Sequence, residues 1–212
     1  NMQKRFISIW FRYLKTDWFT RRRPLLRDKP FILAAPDHGR LIVASANLLA
    51  QKQGIDTGMS VADARALIPD LEVLDDNPEI ANRLLAGLAE WCIRYTPSVA
   101  ADPPDGLLLD VTGCAHLWGG EMQYITGMDN RIKYFGYDIR CAMADTIGAA
   151  WAIARFARDM RVVESRQQSA ALLSLPPAAL RLEEPAIERL EKLGLRKISQ
   201  FINMPRVALR RR

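Results

Sequence analysis

Basic side chains are the most clustered chemistry-bearing residues in this sequence. Arg21-Arg22-Arg23 forms one group; Lys197, Arg206 and Arg210-Arg211-Arg212 form another. Residues 1–30 hold nine Lys/Arg against two Asp, and residues 165–212 hold ten against four Glu. The stretch between them is net acidic, within an overall charge of +6. Two basic ends point to an anionic partner, nucleic acid first; solvated surface charge is the competing reading. Cys114 and His116 stand two apart after Asp110, but without a third partner they make neither a metal site nor an activated nucleophile. Three cysteines (Cys92, Cys114, Cys141) with no CxxC spacing argue against zinc and against a disulfide framework. They fit a reducing, cytoplasmic compartment.

The elements that must position these residues follow from hydrophobic patterning. Phe6 to Phe11 is a short run of β-formers and predicts a buried strand. Pro30–Ala35 and Leu41–Ala44 predict two more, joined by the hairpin-like Pro36-Asp37-His38-Gly39. Ala46–Gln53 reads as helix with Gly54 at its C-terminal cap; Ser60 caps a second, stopped by Pro69. Residues 77–95 predict a longer amphipathic helix, 106–111 a strand, 121–135 a helix, 138–143 a strand and 147–158 an Ala-rich helix. Arg21-Arg22-Arg23-Pro24 reads as a charged turn. Ser174-Leu175-Pro176-Pro177 marks a boundary, followed by short helices at 186–193 and 197–202 around Gly194.

With 212 residues, 49% hydrophobic and 25% charged, the chain has the composition of one large or two small globular domains. No apolar run approaches the roughly 18 to 20 residues that span a bilayer, and no signal peptide opens the sequence. Asn1 before Met2 reads as a vector remnant, and the ending in three arginines as a chain cut inside a helical module.

Four segments in this order resemble the Y-family (DinB/UmuC-type) translesion DNA polymerases. The first is the strand ending at Trp10, with Lys29-Pro30 nineteen residues later. The second runs from Ala44-Ser45-Ala46-Asn47 to Gly58-Met59-Ser60 and Ala62-Asp63-Ala64. The third is Tyr95-Thr96-Pro97 leading to Asp105-Gly106-Leu107-Leu108-Leu109-Asp110-Val111-Thr112, and the fourth Ala144-Asp145-Thr146 through Trp151. The resemblance implies an α/β fold. Residues 1–10 and 76–162 would form a palm, a mixed sheet with helices on one face. Residues 11–75 would form a small fingers domain, and 165–212 the start of a helical, helix-hairpin-helix thumb.

The family's reaction transfers a phosphoryl group with two Mg²⁺ ions held by carboxylates. The resemblance places those carboxylates at Trp10, Asp105 and Gly106, of which only Asp105 is acidic. It places the triphosphate contacts at Leu48, Gln51 and Trp151, and the residue that excludes ribonucleotides at Lys15. Asp105 is thus a weak lone metal candidate. Asp17 as a shifted ligand breaks the spacing to Lys29-Pro30, and Asp110 reads as a strand-end hydrogen-bonding residue. Trp10 either fills the vacated metal cavity or lines an open cleft as a stacking platform. Trp91, Trp118 and Trp151 read as core.

Loss of these groups, with Ile9-Trp10-Phe11 and the tail from Leu193 to Arg211, resembles the ImuB branch. That branch implies a non-catalytic, DNA-binding hub of translesion synthesis and SOS mutagenesis, in the bacterial cytoplasm near the nucleoid. It implies no cofactor. Its partners would be primer–template DNA and, through regions beyond Arg212, the sliding clamp, ImuA and the error-prone polymerase subunit ImuC. Lys197, Arg206 and Arg210–Arg212, with Arg21–Arg23 in the fingers, are the DNA-backbone candidates. Two other readings stand beside it: an active polymerase using Mg²⁺ through replacement ligands, and a protein scaffold without DNA binding.

Overall fold

The computed structural model describes residues 2–205. The chain opens with β1 (Phe6–Phe11) and α1 (Leu14–Arg22), then forms β2 (Phe31–Asp37), β3 (Arg40–Ala46), α2 (Leu48–Lys52), α3 (Val61–Leu67) and β4 (Glu72–Asp75). It returns through α4 (Pro78–Cys92) to β5 (Ser98–Asp102), β6 (Gly106–Asp110), α5 (Glu121–Tyr134), β7 (Ile139–Ala144) and α6 (Ile147–Phe156). α7 (Gln168–Leu173) and α8 (Glu184–Lys192) follow.

Two sheets organise these elements. One has the order β5-β6-β1-β7 and is antiparallel throughout. The other has the order β3-β2-β4, with β2–β3 antiparallel and β2–β4 parallel. The α/β expectation therefore stands, with two particulars corrected. The mixed sheet is the small one, and the larger sheet carries helices on both faces. The alternation of β1 explains the second point. Ile7, Ile9 and Phe11 are buried with Leu85 of α4 and Tyr124, Ile125, Met128 and Ile132 of α5. The opposite face meets α6, where Ala142 and Ala144 pack with Ala149, Ala150, Ala152 and Ile153. Small residues on both sides let this helix lie close to the sheet. Each fully buried Ile, Leu or Phe in such a core contributes about 1.5 to 3 kcal/mol.

Local chemistry fixes the boundaries. The β2–β3 hairpin turns through His38 (φ 46) and Gly39 (φ 79), the left-handed pair that matches strand twist. Asn47 caps α2 by accepting from Ala50 N–H at 2.9 Å, and it also accepts from Phe31 N–H and donates to the Lys29 carbonyl. Thr146 caps α6 in the same manner.

Four sequence expectations are corrected. Arg21 and Arg22 are not in a turn but in the last turn of α1, and Arg23 is its C-cap. β4 and β5 are strands that hydrophobic patterning did not flag. The segment 197–202 is not an α-helix; it holds a single 3₁₀ turn at Ile198–Gln200. Trp118 is 40% exposed rather than core, lying flat against Tyr124 with ring centroids 5.6 Å apart. Trp91 packs edge-on against Tyr95 and Phe135.

Arg5, 6% exposed, ties the larger sheet to its surroundings. Its guanidinium binds both carboxylate oxygens of Glu121 at 2.7 Å, Asp145 at 2.8 Å and the Val163 carbonyl at 2.9 Å. Burial opposes the charge on Asp145. The N–H of Arg166 and the side chains of Arg5 and Ser165 outweigh that effect and hold its carboxyl below the usual carboxylate range.

Candidate functional site

Pairing of β1 with β6 sets Trp10 directly opposite Gly106. The β5–β6 connection (Pro103-Pro104-Asp105) places Asp102 and Asp105 at the same sheet end. From the α6 face come Trp151 and Arg155, one helical turn apart, and Arg181 follows the 3₁₀ turn Pro177–Leu180. Four segments distant in sequence thus converge on two carboxylates.

The contacts form a ladder. Trp10 Nε1 donates to Asp105 Oδ2 at 3.0 Å, and Arg155 Nη2 donates to Asp105 Oδ1 at 3.0 Å. Arg155 Nη2 lies 3.9 Å from Asp102 Oδ2, and Arg181 Nη2 donates to Asp102 Oδ1 at 2.9 Å. Two guanidiniums therefore balance two carboxylates. Indoles flank them: Arg155 lies 4.5 Å from the Trp151 ring centroid and 5.6 Å from that of Trp10, and Arg181 lies 4.4 Å from that of Trp151. Partly desolvated cation–π contacts of this kind contribute about 0.5 to 2 kcal/mol each. Burial pulls the Arg155 pKa down, while Asp105 and Asp102 oppose that shift. Asp102 Oδ2, Arg155 Nη1 and Trp151 Nε1 are buried without a hydrogen-bond partner.

Gly106 makes this arrangement possible. A Cβ at that position would lie 3.1 Å from Arg155 Nη2, 3.2 Å from the Asp102 carbonyl and 3.3 Å from Asp102 Oδ2. A side chain at 106 would crowd the guanidinium, which would have to give by a few tenths of an ångström.

The site was legible in part. Trp10, Asp105, Gly106 and Trp151 do come together. Trp10 is only half-buried and hydrogen-bonded, and it shares the space with Arg155 rather than filling it alone. Trp151 packs against the core cluster around α6, as expected, and its ring also meets the Arg155 and Arg181 guanidiniums. Asp102, Arg155 and Arg181 were missed; the only sequence signal is the i, i+4 pair Trp151–Arg155 in the Ala-rich helix.

A cleft of about 410 Å³ adjoins this ladder, between the two sheets. Lys15, Gln51, Asp76 and Asp105 line it. Lys15 Nζ is paired with Asp76 at 2.6 Å, and Gln51 Oε1 accepts from the Tyr13 hydroxyl at 3.0 Å. Leu48 is 39% exposed and does not line the cleft. Asp17 is no shifted ligand; its Oδ2 accepts the Asp138 N–H at 2.8 Å. Asp110 is a strand-end residue whose Oδ1 accepts the Thr112 N–H. Cys114 Sγ is directed at the Thr112 carbonyl, 3.8 Å away.

The basic candidates separate. Arg21 donates to the Tyr137 hydroxyl at 3.0 Å and covers its ring, and Arg22 lies over Trp18. Arg23 and Lys197 are exposed. Arg206, Arg210, Arg211 and Arg212 lie outside the described residues.

Mg²⁺ does not fit this donor set. Both Asp105 oxygens are already engaged by N–H donors, and a guanidinium stands between the carboxylates. Mg²⁺ requires near-octahedral oxygen ligation at about 2.0 to 2.1 Å. Among the described residues, no group of three or more His, Cys, Asp or Glu side chains could hold a metal. No described helix is long and apolar enough to cross a membrane.

The four-stranded antiparallel sheet, the small mixed sheet and the helical extension are the elements of the Y-family polymerase fold. The chain belongs to the impB/mucB/samB family, whose model matches residues 9–155. It is 44% identical over 159 residues to Protein ImuB of Caulobacter vibrioides, covering 75% of this chain and 35% of that protein. It is 25% identical over 185 residues to DNA polymerase IV of Alkalilimnicola ehrlichii, covering 83% of this chain and 51% of that protein. The chain thus spans about a third of the one relative and half of the other. In structure it is similar to DinB from Sulfolobus solfataricus, with a TM-score of 0.78 at 18% identity over 97% of this chain and 62% of that one. It is also similar to the insertion ternary complex of Dbh DNA polymerase, with a TM-score of 0.80 at 17% identity and the same coverage. At these identities the structural likeness establishes the fold.

Proposed function

We propose that this chain is the palm, the fingers and the first part of the thumb of a protein that binds DNA in translesion synthesis without transferring nucleotides. In this reading the palm takes residues 1–10 and 76–162, the fingers 11–75 and the thumb 165–212. The observation that carries it is Arg155 on Asp105 at 3.0 Å, beside Gly106, where a Cβ would crowd the guanidinium. A carboxylate held by a guanidinium and an indole cannot also present oxygens to two divalent ions. The Lys15–Asp76 pair supports the same reading, because the cleft's lysine already has its counter-charge.

DNA as partner is supported by the basic ends of the chain and by the fold shared with Dbh polymerase in an insertion complex. Backbone contacts through Lys197 and Arg206 to Arg212 would give binding with little sequence preference. Resemblance to Protein ImuB extends the proposal to induced mutagenesis. The sliding clamp, ImuA and ImuC would engage parts of the longer protein that this chain does not span.

Fluorescence anisotropy of the full-length protein on labelled primer–template DNA tests the proposal. Affinity is expected to fall steeply between about 50 and 200 mM salt, as counterion release requires. Absence of binding at the low-salt end would overturn it in favour of a protein scaffold.

A further inference from the structure

Of the three metal-carboxylate positions only Asp105 is acidic, and Asp102 adds a second carboxylate at the same sheet end. Two carboxylates in a largely buried site are costly unless a cation pairs them. The cation here is Arg155. Its guanidinium reaches Asp105 at 3.0 Å and Asp102 at 3.9 Å, and Trp151 covers its face at 4.5 Å. Its side chain is 10% exposed.

We infer that Arg155 is a built-in counter-ion, holding the carboxylate pair in the charge role a divalent ion would fill, so that guanidinium and metal exclude one another at this site. Three observations converge on this. The partner oxygens are shared: Asp105 Oδ1 accepts from Arg155 and Oδ2 from Trp10. The space is tight: a Cβ at 106 would meet Arg155 Nη2 at 3.1 Å, crowding the guanidinium without displacing it from Asp105. The charge is already balanced: Arg181 at 2.9 Å supplies the second positive charge for Asp102. A dication entering beside Arg155 would face two guanidiniums at short range, a repulsion that burial strengthens. One consequence is specific. Restoring a carboxylate at position 106 alone does not restore a metal site; Arg155 must leave as well. This inference rests on the site's geometry and not on DNA binding, and its test contains no DNA.

Terbium(III) binding to the full-length protein provides the test. Terbium is an oxygen-seeking ion whose luminescence is sensitised by a nearby indole, and Trp10 touches Asp105. Four proteins are compared: wild type, Gly106→Glu, Gly106→Glu/Arg155→Ala, and that double variant with Asp105→Asn added. Wild type and Gly106→Glu are expected to give equally weak sensitised emission. The double variant should bind roughly 10- to 100-fold tighter, the scale of ligand-shell changes, and Asp105→Asn should remove the gain. Wild type binding as tightly as the double variant overturns the inference, as does a folded double variant with no gain, or a gain that survives Asp105→Asn. A second readout needs no folded multiple variant. Mg²⁺ should leave the melting temperature of wild type and of Asp105→Asn unchanged. A Mg²⁺-dependent rise in wild type that Asp105→Asn abolishes would overturn the inference.

Discussion

Gly106 and Arg155 stand in close contact: a side-chain carbon on the glycine would lie 3.1 Å from the arginine's Nη2 and crowd it. Gly106→Ala is therefore expected to destabilise the fold by a net 1 kcal/mol or so, overpacking outweighing the backbone entropy that alanine saves. In an Arg155→Ala background the same substitution should be neutral or stabilising. Urea denaturation of the four-protein cycle reads the coupling directly; additive effects would show that the two residues do not compete.

Arg155→Ala should itself cost about 2 to 3 kcal/mol, because it leaves Asp102 and Asp105 without their shared cation. That is less than for a fully buried pair, since the Asp105 side chain is 36% exposed. Arg155→Lys should recover only part of the loss. A point charge cannot span both carboxylates or lie flat on Trp151. Equal stability of Lys and Arg variants would argue that only net charge matters here.

Arg5→Met is expected to cost about 3 to 5 kcal/mol, the scale for removing one partner from a buried ionic network. It leaves Asp145 with the Ser165 hydroxyl and the Arg166 N–H but no cation, and removes the bidentate hold on Glu121. Hydrogen exchange should quicken at the N-terminus of α5 and in the turn after β7; unchanged protection there would refute the assigned role.

Asp17 gives a pH dependence with a defined sign. Burial, with Asp138 nearby, pushes its carboxyl up to about 7 from an ordinary 3.8, while the Asp138 N–H opposes the shift. A carboxyl raised in the folded state binds its proton more tightly there. Its effect on stability is nil below 3.8, becomes a growing penalty as pH rises to about 7, and is constant above that. Asp17→Asn keeps an oxygen to accept the Asp138 N–H and removes the titration. The variant should match wild type near about pH 4 and exceed it near about pH 8 in urea midpoint. A difference that does not change with pH would contradict the assignment.

The elements legible in the sequence were those with strong periodicity and clear punctuation. β1, the β2–β3 hairpin, β6 and β7 are apolar runs bounded by turns, and α4 and α6 carry continuous helical faces. α1 was hidden because Leu14–Arg22 mixes aromatic and charged residues with little amphipathic contrast, and its arginines resembled a turn. β4 and β5 are short and half-exposed, so no alternation marks them. The site divided along the same line. Absences at 10 and 106 could be read by position, whereas the pairing of Arg155 with Asp105 spans 50 residues and exists only once α6 lies on the sheet.

The central claim concerns catalysis, and primer extension tests it most directly. The full-length protein is given primer–template DNA, all four deoxynucleotides and either Mg²⁺ or Mn²⁺, at enzyme concentrations above the DNA so that a single slow turnover is visible. No extended primer is expected with either metal, from wild type or from Asp105→Ala. Extension by wild type that Asp105→Ala abolishes would contradict the account, because Asp105 would then be holding a catalytic metal rather than Arg155.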